Sequence, residues 1–357
     1  MRMVGANRFL IKKYIDILNA MYIYGPRNLS EIARRLNIPK RTVHERFKKL
    51  REKYLKIHLN IDLHKIGMVN TILFLVPSSN KFNIAKKILL KHDFLHKIYM
   101  CLGEYTGFYA VFNLPVENIS DFEDYLEYLL SRDIIESRMT YYAYDFIYVK
   151  PSFSLLNENK HAWLIDFDEI LEEEIVEKNF LPKEIDKFSI EGDDIDMYII
   201  NSLQRDATQK FSEIFSNKIF SRSLVKYHFD RHVRKIIKDY FFEFNPFSTD
   251  YMNILARIQF GDKKSMNNFL SKLIRTPFLA AYSVEFGGGN IFLEMRIPLS
   301  ILDFFEEILD RARKFDILGL NINILSKCYE EYRPIPAVLF DKKSRKWIFR
   351  NEKYMRI

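Results

Sequence analysis

Apolar residues recur at three- and four-residue spacing between Asn7 and Tyr24, where Ile11, Ile15, Leu18 and Tyr22 fall on one side of an α-helix. Gly25-Pro26 ends that pattern. A second short helix is predicted through Leu36, with Asn28 or Ser30 to cap its first turn and Glu31 where a carboxylate suits the helix dipole. Asn37 tolerates a left-handed backbone and makes the turn, and Pro39 opens a third helix where its missing N–H costs nothing. On that helix Val43, Phe47 and Leu50 share one face, while Lys40, Arg41, His44, Glu45 and Lys48 project from the others. Two short helices joined by a tight turn, the second basic and anchored by an apolar stripe, make a helix-turn-helix.

From Leu55 the period changes. Ile57, Leu59 and Ile61 alternate, and Val69 to Val76 is a continuous apolar run of strand length. Phe82 to His92 reads as a helix. His96 to Leu102 and Phe108 to Leu114 read as a hairpin across Gly103 and Gly107. Val116 to Leu130 is helical, and Ile134 to Val149 is a long tyrosine-rich strand. The order β-α-β-β-α-β predicts a ferredoxin-like domain, four antiparallel strands carrying two helices on one face.

The same order then returns. Ser30-Glu31-Ile32 recurs 182 residues later as Ser212-Glu213-Ile214, and Val43 and Phe47 recur at that spacing as Val225 and Phe229. Leu114-Pro115 recurs as Ile297-Pro298 and Pro151 as Pro334, both 183 apart, and the only two tryptophans, Trp163 and Trp347, lie 184 apart. A register that drifts by two residues marks two copies of one module. In the second copy Asp194 to Leu203, Thr208 to Asn217 and Arg222 to Ile237 are the helices, followed by the strand Tyr251 to Phe260 and the helix Lys263 to Ile274. A hairpin of Ala280 to Phe286 and Ile291 to Ile297 turns at Gly287-Gly288-Gly289-Asn290, and Ile301 to Arg313 and Ile317 to Leu325 complete the module. Each copy ends in a similar tail, Pro151 to Trp163 and Pro334 to Trp347.

The expected class is therefore α+β, with two tandem modules, each a (winged) helix-turn-helix followed by a βαββαβ domain. The expected boundaries are 1–60 for the first helix-turn-helix and 61–165 for the first ferredoxin-like domain and its tail. An acidic linker at 166–192, a degenerate helix-turn-helix at 193–248 and a second ferredoxin-like domain with its tail at 249–357 follow.

Composition narrows the function. A hydrophobic content of 48% in 357 residues excludes a mainly disordered chain. Cys101 and Cys328 are not equivalent between the copies, which fits a reducing compartment. Lys12, Lys13 and Asp16 interrupt the stretch Phe9 to Ile23, so neither a leader nor a membrane span is expected, and a cytoplasmic, nucleoid-associated protein is. The net charge of +8 is unevenly placed. Arg27 to Lys56 holds 11 Lys/Arg against 3 Asp/Glu, and Arg205 to Lys238 holds 9 against 3, whereas Asp166 to Asp194 holds 12 acidic residues against 3 lysines. Positive charge concentrated on helix-turn-helix segments is the footprint of nucleic-acid binding.

Leu29-Ser30-Glu31-Ile32-Ala33-Arg34-Arg35-Leu36-Asn37-Ile38-Pro39-Lys40-Arg41-Thr42-Val43 resembles the helix-turn-helix of the Lrp/AsnC (feast/famine) transcription regulators. Leu63-His64-Lys65-Ile66-Gly67 is similar to that family's entry into its sensing domain, and Gly103-Glu104-Tyr105 to its hairpin glycine. The resemblance implies a sequence-specific regulator of double-stranded DNA, fused in tandem as a pseudo-dimer. A homo-oligomer formed through the ferredoxin-like domains is possible on the same ground. Family members commonly carry an aspartate three residues after the hairpin glycine. Thr106 and Asn290 stand there in this chain, so the usual amino-acid effector is not implied and the effector is unknown.

The expected DNA contacts in the first copy are Lys40 and Arg41 to a guanine edge or phosphates, and Thr42 and His44 to bases or backbone oxygens. Lys48 and Lys49 would meet phosphates, with Arg46 between phosphate contact and helix surface. Arg222, Ser223, Lys226 and Tyr227 occupy the comparable positions in the second copy. That copy is altered: Phe215 replaces the small Ala33, Lys218 the apolar Leu36 and Ile219 the turn residue Asn37, so the first is expected to read DNA and the second mainly to grip it.

No catalytic constellation, cofactor or metal centre is expected: the eight histidines are read as scattered and structural, and Gly287-Gly288-Gly289 as a hairpin turn, since a strand rather than a helix follows it. The acidic run Glu172-Glu173-Glu174 reads as a solvated linker or helix. The expectation is a protein that is not an enzyme. The alternative is an enzyme similar in layout to the siroheme decarboxylases, which would need His and Arg side chains for tetrapyrrole carboxylates, and the first copy is poor in these at its hairpin. A third reading is a protein-interaction module with an inactive helix-turn-helix.

Overall fold

The computed structural model describes residues 2–166, 169–170, 178–214, 220–302, 315–350 and 353–354. It divides the chain into two compact units that are not consecutive in sequence. The first gathers Met1–Ile57, Phe146–Pro182 and Tyr240–Ile324, and the second gathers His58–Asp145, Lys183–Asp239 and Leu325–Ile357. Each unit thus joins the helix-turn-helix of one copy to the ferredoxin-like sheet of the other.

In the first unit the helices Lys12–Tyr24, Leu29–Leu36 and Lys40–Lys53 form the helix-turn-helix. Ile15, Leu18 and Met21 of the first, Ile32 and Ala33 of the second and Val43, Phe47 and Leu50 of the third are buried. The Asn28 side chain accepts from the Glu31 backbone N–H at 3.3 Å, capping the second helix. Asn37 ends that helix at φ 52°, ψ 44°, the left-handed conformation the turn requires. The first helix starts at Lys12 rather than Asn7: residues 7–11 form a turn, with the Leu10 N–H on the Asn7 carbonyl, and before it Arg2–Gly5 is a strand against Ala162–Ile165, with Val4 opposite Trp163.

The sheet of this unit follows the ferredoxin-like order. Residues 317–324 lie beside Tyr251–Phe260, then Asn290–Pro298 and Leu279–Val284. Ile254 faces Met295, and Leu293 faces both Ala256 and Tyr282. Ile147–Tyr148 adds an edge strand, Tyr148 opposite Ala281. The long strand expected over Ile134 to Val149 is therefore broken, its first part, Ile135–Ala143, belonging to the second unit.

The second unit carries the order Ile135–Ala143, Met68–Pro77, Gly107–Pro115, Leu95–Gly103. Central Gly107–Pro115 is buried along its whole length, which fits a sequence that is apolar except for Asn113. A Cβ at Gly107 would lie 2.1 Å from the Leu75 carbonyl oxygen, so only glycine lets the neighbouring strand approach there. Helices Phe82–Lys91 and Ile119–Ser131 bury Ala85, Ile88 and Leu89, and Phe122, Leu126 and Leu129. The second copy's helix-turn-helix, Asp194–Arg205, Phe211–Ile214 and Arg222–His228, belongs to this unit. One helix is expected over Thr208 to Asn217; the described helix is Phe211–Ile214, Thr208 to Lys210 being turn and coil, and Phe215, Lys218 and Ile219 lie outside the described residues. The expected helix Ile301 to Arg313 and the run Glu172-Glu173-Glu174 also fall there, apart from the turn Leu299–Ile301 and Leu302.

The two tails dock in the same way. Trp163 is fully buried and donates its indole N–H to the Pro246 carbonyl at 3.0 Å in the first unit. Trp347 donates to the Ile66 carbonyl at 2.7 Å in the second. Each acceptor lies just before the first strand of a ferredoxin-like sheet, and in each case the sheet belongs to the other copy. Among the described residues no helix is long and apolar enough to cross a membrane.

Candidate functional site

The densest polar chemistry among the described residues lies in the second copy's helix-turn-helix. Asp193 and Asp196 begin the helix Asp194–Arg205 as a capping box: the Asp193 carboxylate accepts from the Asp196 N–H at 3.1 Å, and the Asp196 carboxylate accepts from the Asp193 N–H at 2.8 Å. Asp196 has no exposed surface. Its two oxygens meet two imidazoles, His228 Nδ1 at 2.9 Å and His232 Nδ1 at 3.0 Å, and Asp193 Oδ1 stands 3.6 Å from His228 Nδ1. Burial pushes the Asp196 carboxyl above its ordinary value, opposed by the Asp193 N–H and His228. Gly192 precedes this centre at φ +105°, and a Cβ there would lie 2.9 Å from Asp196 Oδ2, so the close approach requires glycine.

The helix that bears the two histidines is irregular. Arg222 to Ile237 was expected to be a single α-helix. Instead Arg222–His228 passes into a π-turn, Phe229–Val233, before Arg234–Ile236 closes it. One wider turn changes which residues share a face, and such turns recur at functional sites.

A pocket of about 480 Å³ opens beside the centre. Arg231, Lys235, Lys342 and Arg345 line it together with His232, and Glu191 and Asp193 are its acids. Arg345 is held by the Ile190 and Gly192 carbonyls at 3.1 and 3.0 Å. Among the described residues no carboxylate pairs with Arg231, Lys235 or Lys342. Four cations against two acids make this a concave, electropositive surface suited to an anion of small-ligand size.

The expected DNA contacts lie elsewhere. Lys40, Arg41, His44, Lys48 and Lys49 are exposed on the third helix of the first unit, and Thr42 and Arg46 are half-buried. Arg41 pairs with Glu45 at 2.9 Å and Lys48 with Glu52 at 3.7 Å, both exposed and so worth little to stability. Arg222, Ser223, Lys226 and Tyr227 are also exposed, with Lys226 on Asp230 at 2.8 Å. The structure gathers the first set on one helix and the second set on the helix that bears His228.

The expectation of scattered histidines with no HxxxH spacing is corrected here: His228 and His232 stand four apart, the spacing that puts two imidazoles on one helical face. The Asp193-x-x-Asp196 spacing was legible as a helix start but not as a partner to those rings.

Known proteins sharpen the picture. The fold matches the crystal structure of the siroheme decarboxylase NirDL over 90% of this chain and 94% of that chain, with a TM-score of 0.57 and 9% sequence identity. The co-complex of that enzyme with an iron-uroporphyrin III analogue matches over the same shares, with the same score and identity. The two chains share a fold. AsnC of E. coli and LrpC of B. subtilis each align over 37% of this chain and 91% and 93% of their own, at 17% and 16% identity, with TM-scores of 0.30 and 0.31, too low to add to the assignment. No protein-family model and no curated relative matches the sequence.

The end-to-end match corrects the expectation of a protein that is not an enzyme: the layout read as a regulator's is also an enzyme's. The enzyme reading stands second in the sequence because the His- and Trp-containing segments of the siroheme decarboxylases are not found and the first copy is poor in cationic and imidazole groups at its hairpin. In the structure such groups converge instead from the second helix-turn-helix and the C-terminal tail.

Proposed function

We propose that this chain is an enzyme of the siroheme decarboxylase layout, acting on a polycarboxylate of the tetrapyrrole class. The observation that carries the reading is the pocket formed by Arg231, Lys235, Lys342 and Arg345, whose fixed positive charge answers several carboxylate arms at once. The end-to-end fold likeness to an enzyme crystallised with an iron-uroporphyrin III analogue supports the choice of substrate class. Decarboxylation of a ring-borne carboxymethyl group breaks one C–C bond, releases carbon dioxide and places a proton on the remaining carbon, so it consumes no oxidant. The pocket's task in such a reaction is to hold the other carboxylates so that the reacting arm is presented in one orientation.

The test is an absorbance titration of the full-length protein with iron-uroporphyrin III and with siroheme, followed by mass spectrometry of the incubated tetrapyrrole. The expected result is a saturable change in the tetrapyrrole spectrum and loss of carbon dioxide from siroheme. Binding should weaken tenfold or more, about 1.4 kcal/mol, in a Lys235→Ala, Lys342→Ala double variant. An unchanged spectrum, or binding indifferent to both lysines, overturns the reading.

A second reading belongs to the first helix-turn-helix. Its ordered turn at Asn37 and the exposed Lys40, Arg41, His44, Lys48 and Lys49 favour binding to duplex DNA as a separate activity.

A further inference from the structure

We propose that Asp193, Asp196, His228 and His232 form a binding site for one divalent transition-metal ion of the zinc class. The four side chains offer one ligand atom each, and these atoms lie within 4.8 Å of one another. Two imidazole nitrogens and two carboxylate oxygens suit zinc and its first-row neighbours, whereas calcium and magnesium favour all-oxygen sets.

The spacings can be compared with a metal's requirement. Ligand bonds of about 2.1 Å in a tetrahedron put neighbouring donor atoms about 3.4 Å apart. The His228 Nδ1 to Asp196 Oδ1 and His228 Nδ1 to Asp193 Oδ1 distances are 2.9 and 3.6 Å, and His232 Nδ1 lies 3.0 Å from the other Asp196 oxygen, Oδ2. They bracket that value, so small shifts would place an ion among donors already facing one another.

Local structure fixes the donors. The capping box holds both carboxylates at the start of Asp194–Arg205, and the rings come from a second segment, His228 as the last residue of Arg222–His228 and His232 from the Phe229–Val233 π-turn. Asp193 and His232 also line the basic pocket, which gives the ion a path from solvent. The pocket's cations oppose a bare dication, but Asp193, Asp196 and Glu191 supply three negative charges within or beside the site. The capping box alone accounts for the two aspartates; it gives no reason for two histidines from another helix to share Asp196.

The site goes beyond the proposed enzymatic reading and does not depend on it. Full-length protein stripped with a chelator is titrated with zinc by calorimetry, and with cobalt(II) by visible absorbance, which reports coordination geometry. One ion per chain is expected. His228→Ala and His232→Ala should each weaken binding by more than about a hundredfold, beyond what loss of an outer-shell partner costs. Asp193→Asn keeps a good helix cap while removing a charged ligand, so it separates metal binding from folding. Its binding should fall while its metal-free unfolding midpoint stays near that of the metal-free parent. His64→Ala, which alters the separate Asp62, His64, Asp145 group, should leave binding unchanged. No binding by the parent, unchanged binding in both histidine variants, or loss on His64→Ala would each overturn the assignment.

Discussion

At the residue scale, burial decides what the histidines do. His92 has no exposed surface and lies among rings, stacked on Tyr354 at 4.1 Å with Phe112 at 5.0 Å and Phe122 and Tyr125 at 5.5 Å. Its Nδ1 accepts from the Phe94 N–H at 3.3 Å, and burial brings its pKa from 6.5 down to about 3. Burial likewise brings His96 down to about 3, although the Arg333 carbonyl at 2.8 Å pulls the other way. Between pH 6.5 and about 3 the unfolded chain holds protons that the native state does not, so stability falls with falling pH. Each histidine contributes about 1.4 kcal/mol per pH unit in that window. His92→Phe fits the aromatic surroundings and should remove its share of this slope in urea unfolding at neutral and mildly acid pH; an unchanged slope would mean His92 titrates normally. Asn37 is a second case of residue chemistry, and this one was legible in the sequence. At φ 52° it meets a conformation that costs other residues about 1–2 kcal/mol, so Asn37→Ala should lower stability by about 1 kcal/mol and Asn37→Gly should not. Equal unfolding midpoints for the two variants would argue that the turn relaxes. The cage around His92 was not legible, because Phe349 and Tyr354 come from the far end of the chain and only the tertiary fold brings them there.

At the element scale, the two copies started from one plan and diverged in the helix that follows the turn. In the first copy Lys40–Lys53 is a regular helix with its apolar stripe inward and its cations outward. In the second the same position carries a π-turn, and His228 and His232 both meet Asp196. Periodicity predicted both segments as helices, and correctly so, because Val225 and Phe229 repeat the apolar stripe of Val43 and Phe47. It could not register the π-turn, since one added residue in a single turn leaves the surrounding apolar pattern intact. This divergence yields a test of the DNA reading. If the first helix neutralises phosphates, the logarithm of affinity should fall with the logarithm of salt at about −0.9 per phosphate contacted. Lys48→Ala with Lys49→Ala should flatten that slope, while Lys226→Ala, on the other helix-turn-helix and in the closer ion pair with Asp230 at 2.8 Å against 3.7 Å for Lys48 with Glu52, should change it less. Measurement needs one duplex, a salt series and the three proteins; a slope indifferent to the first pair removes the argument for DNA at this face.

At the scale of the whole molecule, the repeat was legible and its assembly was not. The 182- to 184-residue spacing identifies which segments are equivalent, and the ferredoxin-like order follows from local patterns in each copy. Equivalence leaves open whether a tail or a helix-turn-helix packs on its own sheet or on that of the other copy, because both choices bury the same apolar faces. The units settle this within themselves: Trp163 docks on Pro246 and Trp347 on Ile66, each on the sheet of the other copy. Asn201 and Gln204 of the second helix-turn-helix further hold Ile335 of the tail, at 2.6 and 2.9 Å, and His58 Nδ1 lies 2.7 Å from the Gln204 carbonyl. Segments from both halves of the chain are therefore buried in each unit, and covalent continuity between the copies is not what holds either unit together. A protease site inserted within residues 171–177 tests this directly. After cleavage the two fragments should co-elute in gel filtration under native conditions and part only in denaturant, because each unit combines segments from both sides of that cut. The Trp347→Phe substitution leaves the Ile66 carbonyl without its donor, at a cost of about 1–3 kcal/mol, and should lower the denaturant concentration at which the fragments separate. Fragments that elute apart without denaturant would instead describe two copies that fold as successive, self-contained beads, and the exchange of tails and helix-turn-helix segments would be wrong.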